Sequence, residues 1–148
     1  MHLAPGSRLG PYEIGDLLGA SDELKKQYLG MLTEEPKLAS FCLTEPDAGS
    51  DVSGMRTSAV KKGDKYVING SKCFITNGSH ASWYTVYAKT DPDAGHRGIT
   101  AFVVDRDADG VTVDKKEDKL GQRASDTATI SFDEVEVPAE NMLGEENK

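Results

Sequence analysis

The chain is short of sulfur, histidine, positive charge and long apolar runs, and each shortage excludes something. It has only two cysteines, Cys42 and Cys73. Both sit in strand-like apolar stretches and match no metal spacing. A disulfide framework is therefore not expected, and buried free thiols in a reducing compartment are. The three histidines, His2, His80 and His96, share no motif, and none is a candidate base or ligand. The formal net charge is −8, which argues against a nucleic-acid partner on bulk electrostatics. An anionic cofactor remains open, because converging backbone N–H groups make their own local field. No apolar run approaches the ~20 residues a membrane helix needs, so membrane insertion is not expected. No charged-then-apolar segment opens the chain, so neither is secretion.

What is present fits a globular β domain. The 148 residues can bury a real core, and 15 Gly with 6 Pro indicate many turns. Residues 1–19 carry too many breakers for a stable element, although Gly10-Pro11-Tyr12-Glu13-Ile14 could form a short packed piece. Ser21 reads as an N-cap with Asp22 and Glu23 in the first turn. Leu24, Tyr28 and Leu32 then share one stripe of a helix of ~12 residues that ends before Pro36. That stripe must dock on the domain that follows or on helices outside this chain.

From Lys37 onward the pattern is short strands and tight turns. Phe41 to Leu43 reads as a buried strand. A hairpin is predicted around Gly63-Asp64. A second, of type I′, is predicted at Asn69-Gly70, joining Lys65–Ile68 to Ser71–Thr76. Further strands are expected over 82–90, 98–104, 111–113 and 126–137. Strands about ten residues apart indicate a mainly β fold, an antiparallel β-barrel or orthogonal sandwich, with one N-terminal helix.

Two stretches carry candidate chemistry. In Phe41-Cys42-Leu43-Thr44-Glu45-Pro46-Asp47-Ala48-Gly49-Ser50-Asp51 a strand ends at a hydroxyl, and Pro46 stops the pairing. Gly49-Ser50 then gives a backbone free to bend, which can aim N–H groups at phosphate oxygens. An ordinary Pro/Gly turn, with Ser50 and Asp51 capping their own backbone, explains the same residues. In Phe74-Ile75-Thr76-Asn77-Gly78 the pleat puts Phe74 and Thr76 on one face and Ile75 on the other. A plane beside a hydroxyl suits a flat polar ring, and a core Phe with a strand-end Thr is the plainer account.

Four segments together resemble the acyl-CoA dehydrogenases: Leu43-Thr44-Glu45-Pro46 with Ala48-Gly49-Ser50-Asp51, 68–78, Leu120-Gly121-Gln122-Arg123-Ala124-Ser125-Asp126-Thr127, and Phe132-Asp133-Glu134-Val135-Glu136-Val137-Pro138. Their order and spacing match that family from about Ser21 to Leu143. The resemblance implies a remnant of a helical domain over 1–36, a middle β-barrel domain over 37–138, and the start of a link to a helical C-terminal domain over 139–148. It implies FAD as cofactor, with Phe41, Leu43, Thr44, Gly49, Ser50, Phe74, Ile75 and Thr76 along it, and acyl-CoA near Ser50 and Thr90. Acyl-CoA would become trans-2-enoyl-CoA, as in fatty-acid β-oxidation, with an electron-transfer flavoprotein as partner. The whole protein would be a homotetramer in a bacterial cytoplasm or mitochondrial matrix. Acyl-CoA oxidases and nitroalkane oxidases share this domain, and a non-catalytic binding module is a third reading. Where this chain has Phe74 the family often has Trp, so the plane is smaller and lacks an N–H. The family's carboxylate base lies in a C-terminal domain that nothing in 1–148 matches, so no catalytic residue is assigned. Pro46 beside Glu45 suggests that this acid has a structural role.

Overall fold

The computed structural model describes residues 20–147, together with the backbone of two short paired strands, β1 (Arg8–Leu9) and β2 (Tyr12–Glu13). Most of the 10–14 segment lies outside the described residues. After the helix come β3 (Ala39–Cys42), β4 (Ser58–Lys62), β5 (Lys65–Thr76), β6 (Trp83–Lys89), β7 (Ile99–Asp105), β8 (Val111–Lys116), β9 (Thr127–Pro138) and β10 (Met142–Leu143).

These strands form one mixed sheet in the order β10-β7-β6-β4-β5-β9-β8, an open path rather than a closed ring. Most pairs are antiparallel, which the alternating strand patterns anticipate. The exceptions fall on β6: one of its edges pairs with β7, while the other is shared in parallel by β3 and by the start of β4. The sheet curls until non-adjacent strands touch. Tyr66 of β5 meets Phe102 of β7 with ring centroids 4.9 Å apart, and Tyr84 of β6 meets Phe132 of β9 at 6.4 Å. Ile68, Ile75, Val86, Val104, Ile130, Val135 and Val137 fill the space between. Each fully buried side chain of this size stabilises the fold by roughly 1.5–3 kcal/mol.

Several expectations need correction. The helix is not continuous, and of the two dockings open to its stripe it takes the sheet that follows. It runs as α1 (Asp22–Leu24), a π turn (Lys25–Leu29) and α2 (Gly30–Glu34), with the Ser21 hydroxyl accepting from Leu24 N at 3.2 Å as the N-cap. Leu24 and Tyr28 are buried against Trp83 and Val103 of the sheet. Tyr28 donates to Asp105 at 3.3 Å, and burial, reinforced by that carboxylate, pushes its phenol up to about 12.

Asn69-Gly70 is not a turn. It lies inside β5, opposite a bulge in β9 where Glu134 takes a φ of 50°. The Asn69 amide holds that bulge, donating to Glu134 Oε1 at 2.6 Å and accepting from Glu134 N at 2.8 Å. Gly70 crosses Thr57 so closely that a Cβ would sit 2.7 Å from the Thr57 Cα. Phe41 is exposed rather than buried, although Cys42 beside it is fully buried. β8 runs on to Lys116, and Met142–Leu143, expected to be leaving the domain, pairs with β7.

Candidate functional site

The two candidate stretches come together. Ser40 of β3 donates through its hydroxyl to the Thr76 carbonyl at 2.8 Å, and Cys73 N donates to the Thr44 carbonyl at 2.9 Å. The exit of β3 therefore lies alongside the end of β5. Phe41 and Phe74 are exposed, Phe41 tilting onto Tyr87 with centroids 4.9 Å apart. Thr76 is exposed and Thr44 half-buried, so both can present hydroxyls outward. Ile75 points into the core and can offer only its backbone to this face.

The backbone at Phe74 is strained. β5 gains one residue against β9 between Lys72 and Ile75, and Phe74 takes up the bulge with a φ of 57°. A bulky side chain in this region costs on the order of 1–3 kcal/mol and persists only where its surroundings impose it.

Beneath this face lies a buried ion pair. Lys72 Nζ donates to Glu45 Oε1 at 2.8 Å and to the Leu43 carbonyl at 3.1 Å, with no solvent exposure of the lysine side chain. Glu45 also accepts from Arg56 N at 2.6 Å and Thr57 N at 3.0 Å. Burial opposes ionisation of Glu45, yet the bonds from Lys72 and from the Arg56 and Thr57 backbone hold its carboxyl below the ordinary range. Burial pulls the Lys72 ammonium down, with Glu45 opposing. Removing one partner of such a pair typically costs about 3–5 kcal/mol, because a buried charge is left alone. Lys72 and two backbone N–H groups thus occupy three acceptor sites of the Glu45 carboxylate.

The loop beyond bends earlier than expected. Glu45 and Ala48 exchange both backbone hydrogen bonds across Pro46-Asp47, at 3.0 and 3.2 Å. Gly49 has open space around it and no positive φ, so the unusual dihedrals expected there are not used. Gly49 and Ser50 are exposed. Asp51 caps the next turn by accepting from Ser53 N at 3.1 Å. Bonds from the Ser53 side chain and backbone lower its carboxyl.

The 120–127 segment reaches the same place from the other side. Asp126 is buried, accepts from Ser79 N at 2.8 Å and pairs with Lys116 at 3.1 Å. Its carbonyl accepts from Asn77 N at 3.0 Å, which fixes the turn that follows Thr76.

Thr90 stands apart from this face. Its hydroxyl is engaged with Thr100 Oγ1 at 2.7 Å and Asn147 Oδ1 at 2.6 Å. Near it opens a cleft of about 350 Å³ lined by Leu43, Val52, Tyr87, His96, Thr100 and Leu143. The cleft connects the Leu43 end of the first stretch with the strand that follows Thr90.

Sequence reasoning missed Lys72, Asp126 and Tyr87. Tyr87 could have been found, because alternation with the inward Val86 and Ala88 puts its ring on the other face of β6, where Phe41 meets it. Lys72 is missed because 71–76 reads as a strand of its own; in the fold it keeps the inward alternation of Tyr66 and Ile68, and the bulge beyond it turns Phe74 outward.

Comparisons with known proteins identify the domain. The sequence profile described as acyl-CoA dehydrogenase, middle domain, matches residues 40–135. A probable medium-chain specific acyl-CoA dehydrogenase 2, mitochondrial, of Caenorhabditis briggsae is 53% identical over 131 residues, covering 86% of this chain and 32% of that protein. Butyryl-CoA dehydrogenase from Megasphaera elsdenii is 50% identical with a TM-score of 0.84, covering 86% of this chain and 34% of its own. A glutaryl-CoA dehydrogenase from Mycobacterium smegmatis in complex with FADH2 is 40% identical with a TM-score of 0.77, covering 84% and 31%. The chain spans about a third of the length of the curated relatives it matches.

Proposed function

Since the chain belongs to the acyl-CoA dehydrogenase family and carries its middle domain, we propose that it supplies one wall of the flavin and acyl-CoA site of an FAD-dependent acyl-CoA dehydrogenase. The observation that carries this reading is Phe74, an exposed aromatic held at a φ of 57° beside the Thr44 loop. Strain of this kind at a surface aromatic has no packing reward inside the chain, and a ligand that stacks on it supplies one.

The residues present fit a flavin. Phe41 and Phe74 offer planes, Thr44 and Thr76 offer hydroxyls, and Leu43 and Ile75 would line the face with backbone. Gly49 and Ser50 lie on the exposed loop beyond, open enough for phosphate. Bound FAD would supply the electron acceptor for oxidation of acyl-CoA to trans-2-enoyl-CoA. The chain's own part is to hold, orient and screen. The two threonines would hydrogen-bond the ring edge, and the cleft below Leu43 would screen the reacting carbons from water. Ser50 and Thr90 would contact acyl-CoA, Thr90 by exchanging one of its present partners. Glu45 contributes no proton transfer, because three donors already hold it buried. The electrons would pass on to an electron-transfer flavoprotein. The whole protein would be a homotetramer of a bacterial cytoplasm or mitochondrial matrix. Among the described residues no helix is long and apolar enough to cross a membrane.

A chimera tests this reading. Residues 40–135 replace their counterpart in the Megasphaera butyryl-CoA dehydrogenase, and the product is expected to purify yellow with FAD and to turn over acyl-CoA. Within it Thr76→Val is expected to shift the flavin absorption band and reduction potential while leaving melting nearly unchanged. The lost bond is worth about 0.5–1.5 kcal/mol. A folded chimera that purifies colourless would overturn the reading.

A further inference from the structure

We propose that the buried Lys72–Glu45 pair is a positioning pair for the cofactor face: it locks the Leu43–Thr44 backbone against Cys73–Thr76 and so sets the spacing between the Thr44 and Thr76 hydroxyls. This rests on the flavin reading above and names the residues that make the face rigid.

Lys72 is the last residue of β5 paired in register before the bulge that carries Phe74. From there its ammonium reaches back to Leu43 O and Glu45 Oε1 at once, at 3.1 and 2.8 Å. The residue after it, Cys73, donates its N–H to Thr44 O at 2.9 Å. Two consecutive residues of β5 thus grip three consecutive residues of the β3 exit. Glu45 carries the grip onward, taking Arg56 N and Thr57 N at the returning end of the loop. An apolar side chain at 72 would fill the same volume, but it could not hold a carbonyl and a carboxylate together. The ammonium has three donors in tetrahedral array, and its bonds to a charged acceptor are the short, directional kind. Buried ion pairs are weak contributors to stability, whereas fixing one arrangement among several is their best-attested use. Here the arrangement that is fixed includes both threonines and the strained Phe74.

The test uses the 148-residue chain for folding and amide exchange, and the butyryl-CoA dehydrogenase chimera described above, with FAD as probe, for cofactor binding. The variants are Lys72→Met and the double change Lys72→Met/Glu45→Gln, which leaves no charge uncompensated and keeps the proposal testable should the single variant fail to fold. Circular dichroism and a protected Val104 amide establish that each variant is folded. In the folded double variant the Cys73 amide is expected to exchange at least tenfold faster than in the unaltered chain. In the chimera carrying the same double change the FAD dissociation constant is expected to rise at least tenfold, and the bound flavin band to lose its shift. A purely structural role would lower the melting temperature and leave the band of bound flavin where it was. FAD binding and band within twofold of the parent chimera would overturn the positioning role, and an unchanged Cys73 amide would overturn the lock. Failure of the parent chimera to bind FAD, with Cys73 still loosened in the variant of the 148-residue chain, would overturn the flavin reading and leave the lock standing.

Discussion

A single methyl at Gly70 should be strongly destabilising. A Cβ there would overlap the Thr57 hydroxyl and lie 2.7 Å from Thr57 Cα, and the φ of 152° is one that L side chains rarely adopt. The strained backbone costs about 1–3 kcal/mol. Forcing a methyl into a filled space costs a further ~1–3 kcal/mol. Gly70→Ala should therefore lose roughly 2–6 kcal/mol, which for a chain of this size lowers the melting temperature by about 5–20 °C. Thermal unfolding followed by circular dichroism reads this directly. Gly49→Ala is the internal control: nothing lies within 4 Å of its added Cβ, and its φ is ordinary. Its effect should stay within about 0.5 kcal/mol. Thr57→Ala should rescue Gly70→Ala only partly, because it relieves the overlap with the hydroxyl and leaves the overlap with the Thr57 backbone. A Gly70→Ala melting temperature within a few degrees of the parent would refute the close crossing of Gly70 and Thr57.

Two other outcomes follow from the packing and the charges. Leu24→Ala should cost about 2–5 kcal/mol, as for a core leucine, and helix amides should be protected from exchange. Rapid exchange throughout the helix would show that it does not dock on Trp83 and Val103. The carboxyls of Glu45 and Asp126 are both held below their ordinary values by hydrogen bonds and cations, against burial. Their contribution is present above the unfolded values, near pH 4, and is lost as pH falls through the folded ones. Urea unfolding between pH 6 and 3 should show stability falling, and Glu45→Gln should flatten that fall. An identical slope in Glu45→Gln would remove Glu45 from the account.

The strand pattern was legible in the sequence because most inward residues alternate in the expected way, as in Tyr84, Val86 and Ala88. The same alternation puts Phe74 and Thr76 on one face and Ile75 on the other, and the fold turns the Phe74 face outward. What it could not show were the two bulges between β5 and β9, since a bulge is decided by the partner strand. At one of them Asn69-Gly70 reads locally as a hairpin turn, while in the fold Asn69 braces Glu134 and Gly70 clears Thr57. At the other, the extra residue turns Phe74 outward, while Lys72 before it keeps the inward alternation of Tyr66 and Ile68. The helix was legible as a helix, with its cap, but what it docks on depends on Trp83 and Val103, some fifty to eighty residues further along the chain.

The sharing of one β6 edge by β3 and β4 has a consequence for how this domain can vary. The chain leaves that edge after Cys42 and returns to it at Ser58, running in the same direction, so the intervening segment is an excursion with both feet on one strand. Glu45 draws the neck shut by taking the backbone of Arg56 and Thr57. Changes between Pro46 and Met55 are thereby insulated from the sheet register, and lengthening the excursion adds only about 0.6 kcal/mol of closure entropy per doubling. The segment is an exchangeable cassette: its outer residues can be rewritten to suit a different ligand while the strands that carry it stay in place.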